Sequence, residues 1–294
     1  MGAGSVPRMR ADATCYRHPD RRASVSCQRC NRPICTECMI EAPVGFHCPE
    51  DAKQGQQKVY TSQSLFSTNA RTSPVTLVLI AINAAAFVYG LTQVGGSLTG
   101  STNQVTVDYG LFAPIMDLQG EWYRLVTSGF LHAGLIHIGF NMWALYLIGP
   151  QLERTMGGVR FAIAYFFCLL CGSLGALVAS PQALTVGASG AIFGLMGMLV
   201  IVQRANGLRL FDTGLGSILV LNLLLTFGFS GTISVGGHIG GLIGGLVAGW
   251  ILIELPRRSR ALPAFLPTVA VLALGVAVVG ASMWAAAQWM DPIF

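Results

Sequence analysis

The sequence predicts an all-α polytopic membrane protein of about seven spans, preceded by a small zinc-bound cytosolic domain. Three observations carry this expectation. Hydrophobic residues make up 53% of the 294 and charged residues only 11%, where a soluble domain carries roughly a quarter charged. The charges are also crowded at one end: ten of eighteen Lys+Arg and six of thirteen Asp+Glu lie in the first 71 residues. Finally, six of the eight cysteines fall between positions 15 and 48, spaced as metal ligands are.

The head comes first in the chain. Its ligand types form four pairs with two residues between members: Cys15/His18, Cys27/Cys30, Cys35/Cys38 and Cys48/Asp51. Such a pair sits on one tight turn around a tetrahedral ion. Four interleaved pairs predict two zinc ions, one held by Cys15, His18, Cys35 and Cys38. The other is held by Cys27, Cys30, Cys48 and a fourth ligand. Asp51 keeps the spacing for that fourth position, while His47 is the softer and more usual zinc ligand. Disulfides are the alternative, but a cytosolic head sees a reducing compartment. The pattern resembles a B-box-type finger, which implies an interaction module and a protein partner for the head. So short and polar a segment needs metal to fold. The head is read as residues 1–52, and the Gln/Ser/Thr-rich stretch 53–72 as a linker. The N-terminus has no apolar core, so a cleaved signal peptide is not expected.

Charge-free intervals then bound the spans, because a helix needs about 20 apolar residues to cross the hydrocarbon and a charge at mid-depth costs roughly 2.5–3.5 kcal/mol. Thr72–Val107 holds one helix near Pro74–Leu91, followed by a polar Gly/Ser/Thr stretch; Leu125–Leu152 holds a second. Phe161–Gln203 holds two, broken at Ser180-Pro181, and Thr213–Ile253 two more, broken around Gly228–Thr232. Ala261–Met290 holds a seventh. With the head in the cytosol, seven of the eight arginines after position 71, Arg124 excepted, fall in inner connections, as the positive-inside rule requires. The C-terminus is then outside. This explains the net charge of +5 without nucleic acid, for which no other signal is present. The arginine-rich, lysine-poor usage points to a bacterial cell membrane.

Strongly polar groups within spans are costly and therefore candidates for function. His137 and Asn141 stand at i, i+4 in HIGFN; Ser189 sits in VGASGAIFGLMG; His238 sits in VGGHIGGLIGGLVAG. The arginine-derived topology puts all four toward the outer ends of spans 2, 4 and 6, within about 10 Å of the surface by helix rise. Singly, each has a bland explanation: a serine as helix-packing material, a histidine bonded to a carbonyl, His137 with Asn141 as an interhelical clamp. Together, at one depth, they suggest chemistry. Gly237, Gly241, Gly245 and Gly249 repeat every four residues, and Gly190, Gly194 and Gly197 line the fourth span, so two backbones can approach closely. A neutral histidine near a serine hydroxyl can take its proton, and the resulting oxyanion needs fixed donors. Cys168 and Cys171 form another CxxC, inside the third span and without further ligands, and read as small packing residues.

At these residues the chain resembles the rhomboid family of intramembrane serine proteases, through GEWYRLVTSGFLHAGLIHIGFNMWAL, GPQLERTMG, GASGAIFGLMG and GGHIGGLIGG in the family's order. The likeness extends over roughly residues 75–255. It implies a six-helix core, residues 73–256, with residues 257–294 as an appended seventh helix. It also implies Ser189 as nucleophile and His238 as general base, His137 and Asn141 as oxyanion-stabilising side chains, and no catalytic cofactor. Gly187 matches a glycine that keeps the backbone open to substrate, and Phe193 an aromatic that packs on the histidine. Arg124 and Glu153 match structural positions; half of a local ion pair would serve equally as a reading of Glu153. Substrates would be single-span membrane proteins cut near the outer face of the bilayer. Two rival readings stand beside this: a catalytically silent relative that binds membrane clients, and a membrane-anchored adaptor whose zinc head is the working part.

Overall fold

The structure is a computed structural model, described here for residues 13–42, 45–54, 73–100, 102–259 and 261–290. The chain divides into two compact units, Met1–Thr61 and Ser62–Phe294. Arg71, Arg260 and most of the expected linker lie outside the described residues.

The first unit holds two minimal antiparallel hairpins. Strand β1 (Val25–Ser26) pairs with β2 (Pro33–Ile34), and β3 (Ile40–Glu41) with β4 (Phe46–His47). A short helix α1 (Pro49–Gln54) follows, carrying helix two residues into the stretch read as linker. The fully buried apolar residues of this unit are Cys15, Cys27, Ile34, Cys35, Cys38 and Cys48. A core of five thiols and one isoleucine, with Tyr16, Val25, Met39 and Phe46 only partly buried against it, is too small to hold a domain by apolar burial alone, which leaves the cysteines to supply cohesion another way.

The second unit is helical. Helix α2 (Pro74–Leu91) begins with Pro74 in its first turn, where a missing N–H is harmless. The polar stretch that follows is not featureless. It contains α3 (Gln104–Tyr109), opened by an Asn103–Thr106 capping box, and α4 (Ala113–Gln119). Arg124, 3% exposed, reaches back from α5 (Arg124–Thr127) to bond the carbonyls of Val107 and Gly110 at 2.8 and 2.7 Å and to pair with Glu121. A buried guanidinium thus ties down the segment between α2 and α5.

The second span departs from its expected start at Leu125. The chain runs through α5 and a 3-10 turn (Ser128–Phe130), bends by 95°, and only then enters α6 (Leu135–Met156). The bend is fixed at Gly134, whose close approach to Gly100 leaves no room for a side chain, and by the Leu135 N–H bonding to Leu98 O at 2.9 Å. Among the described residues, Glu153, near the other end of α6, forms no ion pair. Its carboxylate accepts from the Val75 and Thr76 N–H groups and the Thr76 hydroxyl at 2.9, 2.8 and 2.7 Å, capping the start of α2. The first amides of a helix have no intrahelical partner and carry the positive end of its dipole, so a buried carboxylate suits them.

The remaining helices are α7 (Gly158–Ala179), α8 (Ser189–Ala205), α9 (Leu215–Gly228), α10 (Val235–Gly249), which continues through a π turn (Trp250–Glu254) into α11 (Leu255–Arg258), and α12 (Leu266–Ala287). Among the described residues four helices are long and apolar enough to span a membrane, five with the bent α5–α6 pair, and α8 and α9 are shorter apolar helices. A helix lies in each of the seven intervals read as spans, four or five of them long enough to cross. Helix α12 packs on α7 and is tied at both ends: Arg160 donates to Ala264 O at 2.6 Å, Gln182 donates to Trp289 O at 3.1 Å, and Trp289 Nε1 donates to Asp117.

Helices α7, α8 and α10 form the centre, joined through glycines. A Cβ added at Gly241 would overlap the carbonyl oxygen of Gly190, and one at Gly245 that of Gly194; Gly236 and Gly240 meet α7 at Gly175 O and Cys171 O in the same way. Backbone meets backbone, as small-residue repeats in spans allow. Cys168 and Cys171 fill the gaps opposite Gly194 and Gly244, which agrees with a packing role.

Candidate active site

Ser189 is the first residue of α8 and is half-buried. Ahead of it, Gly187 donates its N–H to Ser128 O at 2.9 Å and adopts φ +129, a conformation open to glycine and strained for other residues. A methyl group on Gly187 would stand 2.8 Å from His137 Nε2 and 3.7 Å from Ser189 Oγ. Gly187, His137 and Ser189 thus border one small space. The glycine keeps it empty.

His238 lies in the first turn of α10, 7% exposed, where the Ser234 side chain caps the helix by accepting from Gly237 N–H at 3.1 Å. The close seam between α8 and α10 brings its Nε2 to 2.8 Å from Ser189 Oγ. Phe193, one turn into α8, stacks on the imidazole with centroids 4.0 Å apart and planes 18° from parallel. On the other ring nitrogen, Nδ1 lies 2.7 Å from the hydroxyl of Thr226 in α9. Thr226 carries no signature in the sequence. A threonine in an apolar helix ordinarily bonds its own backbone, which this one also does, to Asn222 O at 2.7 Å, so nothing in the sequence set it apart.

His137 and Asn141 are placed differently. His137 borders the space over Gly187, and its Nδ1 accepts a long 3.5 Å bond from the Ala133 N–H; this leaves the proton of a neutral ring on Nε2, facing that space. The Asn141 amide nitrogen donates to His137 O within its own helix at 2.9 Å, so only its second hydrogen is left for a ligand. The first turn of α8 adds backbone N–H groups that the helix ladder does not use. The arrangement joins a hydroxyl, an acceptor nitrogen for its proton and several N–H donors around one space, the parts that acyl transfer requires.

In the other unit, the side chains gather into two groups that could hold metal ions: Cys15, His18, Cys35 and Cys38, and Cys27, Cys30, Cys48 and Asp51, the ligand atoms of each lying within 4.8 Å of one another. A tetrahedral zinc site with Zn–S near 2.3 Å sets sulfurs about 3.7 Å apart. His18 Nδ1 stands 4.0, 3.4 and 3.5 Å from the sulfurs of Cys15, Cys35 and Cys38, and Cys30 and Cys48 sulfurs are 3.8 Å apart. Asp51 Oδ2 lies 3.1 Å from Cys27 Sγ and 3.2 Å from Cys48 Sγ. Asp51 completes the second group, and His47, on β4, is not part of it. The donors fit a divalent ion. Hydrogen bonds from the Cys30, Cys27 and Cys48 thiols hold the Asp51 carboxyl down at about 2. Burial, with the Cys15 and Cys35 sulfurs beside it, pushes Cys38 up to about 11. Burial also pushes Cys15 up, but backbone donors at Cys35, Arg17 and His18 outweigh it and bring that thiol to about 6. Such uneven thiols share a state when a cation holds them all as thiolates.

Residues 119–255 match the family model of the Rhomboid domain. The chain is 38% identical over 192 residues to the rhomboid protease GluP of Bacillus subtilis (strain 168), covering 64% of this chain and 36% of that protein. It is 30% identical over 155 residues to RHOMBOID-like protein 5 of Arabidopsis thaliana, covering 51% and 50%. Inactive RHOMBOID-like protein 8 of the same plant is 28% identical over 109 residues, covering 37% and 31%. The chain therefore spans half or less of the length of each of these relatives.

Proposed function

Because this chain is a multi-pass membrane protein carrying a rhomboid domain, we propose that it is an intramembrane serine endopeptidase working through Ser189 and His238. The observation that carries the reading is the 2.8 Å contact between Ser189 Oγ and His238 Nε2, with the imidazole held face to face by Phe193. Ser189 Oγ adds to the scissile carbonyl carbon while His238 Nε2 takes its proton. The carbonyl π pair moves onto oxygen, and that oxyanion is met by His137 Nε2–H, by the free hydrogen of the Asn141 amide and by first-turn amides of α8. The C–N bond then breaks as Nε2 returns the proton to the leaving amine. Water, deprotonated by the same nitrogen, hydrolyses the acyl-serine and restores the dyad.

Substrates in this reading are single-span membrane proteins entering from the bilayer, cut toward the outer face, where the arginine distribution puts the dyad, with the head in the cytosol. The two groups of the head take zinc, which would fix its fold, and the head recruits or regulates through a protein partner. Retention of both Ser189 and His238 favours an active enzyme over a silent client-binding relative.

Labelling of the purified full-length chain with a fluorophosphonate, alongside cleavage of a single-span reporter in proteoliposomes, tests the reading. The wild type labels and cleaves; Ser189→Ala does neither, and His238→Ala is slowed by at least about 10³-fold. Equal labelling of all three proteins removes the dyad.

A further inference from the structure

We propose that Thr226 is a positioning residue that fixes the reactive tautomer of His238, occupying through a neutral hydroxyl the place a carboxylate takes in a Ser-His-Asp triad; the inference rests on Ser189 and His238 being the dyad.

A threonine hydroxyl has one proton to donate and lone pairs to accept. Thr226 Oγ1 lies 2.7 Å from Asn222 O and 2.7 Å from His238 Nδ1. The Asn222 carbonyl can only accept, so the hydroxyl proton is committed to it. The contact with the imidazole is then satisfied in one way, with Nδ1–H donating to Thr226 Oγ1. A neutral imidazole carrying its proton on Nδ1 has a bare lone pair on Nε2, which is the nitrogen 2.8 Å from Ser189 Oγ. The ring is thus set to receive the serine proton. In the opposite tautomer Nε2–H would donate to the hydroxyl and block its activation.

Phe193 alone cannot do this. Stacking at 4.0 Å fixes the plane of the ring, yet a half-turn about Cβ–Cγ or a shift of the proton leaves the stacked contact unchanged. The contact with Ser189 selects the orientation of the ring, and a partner at Nδ1 is what selects the position of its proton. Thr226 is 1% exposed, so no bulk water competes for that nitrogen, and the low local polarity strengthens the bond. As Nε2 becomes protonated during attack, Nδ1–H keeps the same acceptor and the ring does not turn. The position also accounts for the residue type: the helical threonine is pre-oriented by its own bond to the carbonyl four residues back.

The experiment compares wild type, Thr226→Val and Thr226→Ser of the full chain in proteoliposomes, reading kcat and KM on the single-span reporter and the rate of fluorophosphonate labelling, with thermal unfolding in detergent as the folding control. Valine keeps the volume and removes the acceptor; serine keeps the hydroxyl and removes the methyl. For Thr226→Val, kcat and the labelling rate fall about 10- to 100-fold, the range of lost orienting partners, while KM stays within about twofold. Thr226→Ser recovers most of the lost rate. Valine at the wild-type rate, or serine as slow as valine, overturns the proposal while leaving the dyad standing. A wild type that neither labels nor cleaves overturns the dyad reading itself.

Discussion

The two units of this chain reach a fixed geometry from opposite directions. In the head the ligand side chains are the core: thiols, an imidazole and a carboxylate converge on two points, and the backbone described around them forms two-residue strands, one 3-10 turn and one short helix. In the helical unit the decisive residues of the centre have no side chain. Gly190, Gly194, Gly241 and Gly245 let α8 and α10 touch along their backbones, and the contact between Ser189 and His238 follows from that separation. One unit is organised by what its residues hold and the other by what they leave out, so the two should fail under different insults.

Removing the proposed zinc is the largest such insult. Structural zinc in finger-like peptides is worth about 10–16 kcal/mol of apparent binding free energy at pH 7, far more than this head can recover from a single buried isoleucine. Elemental analysis of the intact protein should give two zinc ions per chain. A chelator should then release them with loss of amide protection over residues 13–54, while protection of the α7, α8 and α10 amides is retained. Protection of the head that survives full chelation would break the contrast.

A bulky side chain in the glycine seam is the converse. At Gly245 even a Cβ would overlap the carbonyl oxygen of Gly194, an atom of the backbone that no rotamer change can move aside. Gly245→Leu must separate α8 from α10, at a cost of at least about 3 kcal/mol, and opens the Ser189–His238 contact with it. Thermal unfolding in detergent and fluorophosphonate labelling should both show the loss, with zinc content unchanged. A variant of wild-type stability that still labels would mean the seam is looser than the backbone contacts require.

How much could be read beforehand follows the same division. The head was readable because ligand chemistry restricts residue type and spacing together, leaving open only Asp51 against His47, which required knowing that α1 turns the aspartate inward. Helix α2 was readable at both ends because Pro74 starts it and the apolar run stops near Leu91. Ser189 and His238 were readable as costly groups among glycines. The 95° bend before α6 was not, since a charge-free interval reports hydrophobicity and carries no record of backbone direction. Glu153 as the cap of α2 and Arg124 as the clamp on the Val107 and Gly110 carbonyls are contacts between distant segments, and their partners, the Thr76 hydroxyl apart, are backbone atoms with no sequence signature. Thr226 is the limiting case: its local bond to Asn222 explains its presence in a helix completely, and only the fold brings His238 to its other side.

The smallest expected effect sharpens the comparison most, because it separates glycine as a residue from glycine as a contact. Gly139, on α6 within the same HIGFN segment as His137 and Asn141, has nothing within 4 Å of where a Cβ would stand. An alanine there meets no backbone and reduces the freedom of the unfolded chain, so Gly139→Ala should be neutral or stabilising by up to about 1 kcal/mol, with labelling of Ser189 unaltered. Gly241 differs only in its neighbour, the Gly190 carbonyl oxygen that an added Cβ would overlap, and Gly241→Ala should destabilise. Both variants carry the same chemical change in a helix interior, so helix propensity cancels between them and the difference in unfolding temperature isolates the backbone contact. Equal shifts would assign the glycines to the flexibility of the spans and remove the seam as the device that holds Ser189 against His238.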